Sequence, residues 1–197
     1  MTLQRPPGTR LLVSLLAAGS AVLVTASPAV AGKTTLKDAT GDVWGAADAT
    51  SVTPSPSIAE GDITRAVVSF KDQTVRVRIS FAKLRRGGPY AQYSVMLQGR
   101  QGKVLREVLV ETGKRNRSGS DRVFNARERE VSCDARHRIS YGRDAVTVKL
   151  DRRCLGSPKA VRANINTARA TGRGVFYSDN AHDTAAESAA WSEWVRR

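Results

Sequence analysis

The chain has 197 residues and a net charge of +14, from 32 Lys and Arg against 18 Asp and Glu, and 24 of those cations are arginine. Apart from one run near the N-terminus, no apolar stretch approaches the roughly 18 residues a membrane helix needs, which argues against stable membrane insertion. A charge surplus of this size favours polyanionic partners such as lipid headgroups or acidic cell-wall polymers; basic runs interleaved with aromatics, the stacking platforms of single-stranded nucleic-acid binders, are missing, so nucleic acid is set aside.

The chain opens with MTLQRPPGTR, carrying two arginines and no acid, followed by the apolar LLVSLLAAGSAVLV and the small-residue stretch TASPAVA. That order reads as a secretory signal peptide over residues 1–31, with cleavage after Ala31. The expected location is therefore secreted, and the remaining 166 residues, with a net charge of +12, suit one domain. Residues 32–64 read as an N-terminal turn and extended connection packed on the fold, and residues 65–197 as its body.

Within the first of these regions, KDATGDVW (37–44) sets Asp38 and Asp42 around a Thr-Gly turn. Two readings stand: a β-turn whose aspartates accept backbone N–H bonds, or part of a calcium site, because a hard cation takes carboxylate and carbonyl oxygens gathered on loops. The order does not match the twelve-residue loop of an EF-hand. The Ser-, Thr- and Pro-rich DATSVTPSPSIAEGD (48–62) then reads as an extended connection, ending at Gly61 and Asp62.

From residue 65 the pattern has a period of two, the mark of half-buried strands. In TVRVRISF, Val75, Val77, Ile79 and Phe81 point one way while Arg76, Arg78 and Ser80 point the other. RAVVSF (65–70), YAQYSVMLQ (90–98), KVLREVLVE (103–111), ARHRISY (135–141), AVTVKL (145–150) and AVRANINTA (160–168) alternate likewise, each bounded by turn residues. About eight short strands predict an all-β antiparallel sandwich, with jelly-roll or immunoglobulin-like layering. AHDTAAESAA (181–190) has the alanines for one or two helical turns.

Between these strands, GKRNRSGSDR (113–122) reads as a basic hairpin loop, and Arg115, Arg117 and Arg122 are the candidates for gripping an anionic polymer. The only cysteines are Cys133 and Cys154, an even count in an exported chain, which predicts a disulfide. A hairpin turning at Gly142 and Arg143 pairs residues whose numbers sum to about 285–287, and this pair sums to 287.

Catalytic signatures are missing: there is no G-x-S-x-G, no H-E-x-x-H and no phosphate-cradling glycine loop. His137 falls within a strand pattern and His182 in the late acidic stretch. An acid pair, Asp179 and Asp183, has the chemistry for a hydrolase, but nothing in the sequence sets their pKa values apart. The expectation is a protein that binds rather than catalyses.

KDATGDVW, GDITRAVVSF, TVRVRISFAKL and a late Asp-rich stretch ending in WSEWV together resemble the bacterial secreted β-sandwich domains related to DOMON and family-9 carbohydrate-binding modules. The resemblance spans roughly residues 36–195. It implies a sandwich and a structural calcium held by Asp38, Asp42, Asp62 and Asp183, and it carries no ligand over.

The aromatic candidates for an extracellular or cell-wall ligand, glycan-like by preference, are Trp44, Trp191 and Trp194, since an exposed indole stacks on a sugar ring. In a strand, Trp191 and Trp194 would lie on opposite faces, so both cannot point into the core; the one left outside is either exposed or covered by the terminal segments, the commoner fate of a large aromatic.

Overall fold

The computed structural model describes residues 32–46, 52–172, 174–181 and 191–197. Residues 1–31, read from the sequence as a signal peptide, lie outside the described residues, as do His182, Asp183 and nearly all of the Ala-rich stretch. Thirteen strands, two short 3-10 turns and no α-helix make up the regular structure of the described residues. The two antiparallel sheets form a sandwich.

The five-stranded sheet runs β1 (Lys33–Lys37), β4 (Ile63–Lys71), β5 (Thr74–Phe81), β10 (Ala145–Asp151), β9 (Ala135–Ser140). The other runs β3 (Val52–Pro54), β2 (Trp44–Ala46), β12 (Phe176–Asn180), β11 (Ala160–Ala170), β6 (Tyr90–Gly99), β7 (Val104–Gly113), β8 (Ser120–Phe124), and β13 (Val195–Arg196) pairs with β11. All seven alternating segments are strands. The count exceeds the expected eight because β1, β2, β3, β8, β12 and β13 are short, at two to five residues, and too brief to show a period. Within the stretch expected to be a plain connection, β3 pairs with β2 along the sheet edge.

Alternation sorts each long strand into an inner and an outer face. Val75, Val77 and Ile79 of β5 and Val146, Val148 and Leu150 of β10 meet Val95, Leu97, Val108, Val110, Ala163 and Ile165 of the opposite sheet in one core. Each valine, leucine or isoleucine among them is worth about 1.5–3 kcal/mol when removed from water. The β9 and β10 partners sum to 285 throughout, from Ala145 with Ser140 to Leu150 with Ala135, about a short 3-10 turn at Tyr141–Arg143. Past the open end of that hairpin Cys133 and Cys154 form a disulfide, with Cα atoms 5.7 Å apart, packed against the core.

Candidate functional site

Three carboxylates from distant parts of the chain meet at one end of the sandwich. Asp38 follows β1, Asp42 precedes β2, and Asp179 lies on β12, and one oxygen from each lies within 4.8 Å of the others. The turn between the first two depends on Gly41, whose φ of +83° is left-handed and where a Cβ would lie only 3.2 Å from the Pro56 carbonyl oxygen. Asp179 pairs across the ladder with Thr167, so its side chain points between the sheets and is only 2% exposed. Its Oδ2 accepts the Ile63 N–H at 2.6 Å and its Oδ1 the Asn180 N–H at 2.9 Å.

Asp62 stands beside this trio and outside it. Its Oδ2 accepts the Gly41 N–H at 2.9 Å, bracing the turn, while its buried Oδ1 has no hydrogen-bond partner among the described residues. Burial is the main cause of a raised pKa for Asp62, opposed by the bond from Gly41. Burial likewise pushes Asp179 up to about 7, and the charges of Asp42 and Asp62 add to the rise against two backbone N–H bonds that oppose it. Of the carboxylates read as ligands from the sequence, Asp38 and Asp42 converge, Asp62 takes a supporting position and Asp183 lies outside the described residues; Asp179, read from the sequence only as half of an acid pair, completes the trio. The signal for Asp179 was faint: its place on the inner face depends on the β11–β12 register.

The outer face of the eight-stranded sheet is polar and laterally bonded. Ser94 donates to Glu107 and Asn166 to the side-chain oxygen of Asn164, and the Tyr90 hydroxyl lies within hydrogen-bond distance of both Gln92 and Glu111. Trp44 shares a cross-strand row with Ser178 and Ala168 on this face and is half-buried. Trp191 and Trp194 flank the Arg162 guanidinium, at 5.2 and 4.9 Å from the ring centroids. This corrects the opposite-face expectation. The chain becomes a strand only at Val195, and cation–π attraction holds both rings against one cation whose Nε also donates to Gln98.

Most of the basic loop is tied down. Arg122 lies inside β8, pairs with Glu111 at 2.7 Å and stacks over Phe124. The Arg117 carbonyl accepts from Tyr141, and the Ser118 carbonyl from His137, whose other ring nitrogen meets Asp121 at 2.5 Å. His137, 13% exposed at its side chain, is thus a clasp between β9 and the loop. Arg115 and the Arg117 side chain are exposed.

No protein-family model matches the chain, and neither a curated protein nor a solved structure matches it significantly. The class defined by the fold is an all-β antiparallel sandwich with one disulfide. No helix among the described residues is long and apolar enough to cross a membrane.

Proposed function

We propose that this chain is a secreted, non-catalytic binding module, with a structural calcium closing one end of its sandwich and a glycan-like ligand received on the outer face of the eight-stranded sheet. The observation that carries the reading is the composition of that face. Three half-buried tryptophans border a field in which Gln92, Glu107, Glu111 and Asn166 are half-buried and Ser94 and Asn164 are buried beneath them, so the face offers a sugar ring the two kinds of group it uses: a flat apolar surface and hydrogen-bond partners.

The calcium part rests on the donor set. Asp38, Asp42 and Asp179 would hold the ion, an all-oxygen, strongly anionic group suited to a hard cation. The residues fit such an ion, because the partnerless buried Oδ1 of Asp62 is a desolvated acceptor next to the turn that carries Asp42, and a nearby cation offsets that cost. Bound calcium would supply charge neutralisation between β1, β2 and β12 and take no part in chemistry. The raised pKa of Asp179 belongs to this reading and not to an acid-pair hydrolase, since at 2% exposure its carboxyl is out of reach of a substrate.

Retention on glycan arrays and cell-wall preparations, compared with Trp44→Ala and Trp191→Ala, tests the ligand part, and an absence of retention overturns it. Melting with calcium and then chelator tests the ion. A melting point that climbs with calcium, and climbs much less in Asp42→Ala, supports it, because only a ligand that prefers the folded state stabilises that state.

A further inference from the structure

The outer face of the five-stranded sheet has the opposite chemistry. The strand register sets Arg76, Lys149 and Arg136 side by side in one row, on β5, β10 and β9, and sets Arg78, Thr147 and Arg138 in the next. Neighbouring strands lie about 4.8 Å apart, and like charges directly opposite each other destabilise a strand pair. Arg76, Arg136, Arg138 and Lys149 are exposed. Among the described residues, Arg76, Arg78, Arg138 and Lys149 have no carboxylate within 4.0 Å, and the one acid that reaches a row, Asp134 on Arg136 at 3.3 Å, does so in solvent. A groove of about 260 Å³ follows the two rows.

We propose that this face docks a linear acidic polysaccharide, with its carboxylates or sulfates along the cation rows. Charge complementarity is the first argument, because the ladder holds uncompensated repulsion that a polyanion relieves. The second is the interleaving: Ser69 pairs across from Arg76, and the largely covered Thr147 sits between Arg78 and Arg138, so hydroxyl-bearing positions separate the cations much as hydroxyls separate the anionic groups along an acidic sugar chain. Guanidinium forks also match planar carboxylates two bonds at a time. The rows carry no aromatic side chain to stack on bases or to enter a bilayer, which favours a polysaccharide over single-stranded nucleic acid or a lipid surface. This face lies on the opposite side of the sandwich from the tryptophans, so the proposal stands apart from the glycan reading of that side.

The test is binding of polygalacturonate oligomers to the disulfide-bonded protein at low and moderate salt, beside dextran, poly-dT and phosphatidylglycerol vesicles. Polygalacturonate is expected to bind best, with affinity that collapses as salt rises. Arg76→Thr/Lys149→Thr/Arg136→Thr is expected to weaken it about tenfold or more and to flatten the salt dependence. Arg78→Thr/Arg138→Thr serves as a second variant should the first fail to fold. Arg115→Ser/Arg117→Ser is expected to bind as the unaltered protein does. Equal affinity in a folded row variant, tighter binding of poly-dT or vesicles, or loss of binding in Trp44→Ala instead would each overturn the proposal.

Discussion

The Asp179 carboxylate on β12 accepts the backbone N–H of Ile63 at 2.6 Å, and so joins the two sheets through residues 116 apart in the chain. Ile63 begins β4, an interior strand of the other sheet, so the bond sets how the sheets meet at the acidic end. Asp179→Ala leaves the Ile63 and Asn180 N–H groups buried without their acceptor. It is expected to cost about 2–4 kcal/mol in denaturant unfolding. Asp179→Asn keeps one acceptor oxygen and should cost less than half of that, while still abolishing any response of the melting point to calcium.

The pH dependence has a definite sign. A carboxyl whose pKa rises on folding, as Asp179 does from an ordinary 3.8 to about 7, binds more protons folded than unfolded within that window. Its stabilising contribution is complete below about pH 4 and is lost as pH climbs toward 7. Asp62 shifts in the same direction. In chelator, the protein is therefore expected to melt at a lower temperature at pH 7.5 than at pH 5, with a smaller difference in Asp179→Asn. Calcium should reverse the trend, since it favours the ionised carboxyls. An identical pH profile with and without calcium would count against the metal centre.

The disulfide between Cys133 and Cys154 closes a loop of 21 residues at the open end of the β9–β10 hairpin. Cys133→Ser/Cys154→Ser is expected to lose about 3 kcal/mol, by release of loop entropy in the unfolded chain. Reductant should produce the same drop in the unaltered protein and none in the double variant.

Arg162→Ala removes the cation between Trp191 and Trp194 together with the bond to Gln98. A loss of about 1–2 kcal/mol is expected, with a shift in tryptophan emission as the rings lose their shared partner. Arg162→Lys should fall between, because an ammonium keeps the charge but not the planar stack.

Much of the fold was legible from residues 65 to 170. Period-two runs such as TVRVRISF need only local sterics and one buried face to declare themselves, and the disulfide followed from counting along a hairpin. The short strands were not legible: β2 has three residues and β13 two, and their conformation comes from pairing with β12 and β11 rather than from their own pattern. At the acidic end, the Asp38 and Asp42 turn was visible as a local motif. That Asp179 completes the trio, and that Asp62 braces Gly41, depends on sheet-to-sheet packing.

By itself the sequence determined the antiparallel sandwich, the disulfide and the basic character, because alternation, cysteine count and charge are properties of short stretches or of bulk composition. Only the tertiary structure decided which charges act together. Strand register gathered Arg76, Lys149 and Arg136 from three separate strands into one row, while Arg122, prominent in its own loop, was paired with Glu111. Cross-strand neighbours are set by which strands pair and in what register, information that is spread over the whole chain and absent from any window of it.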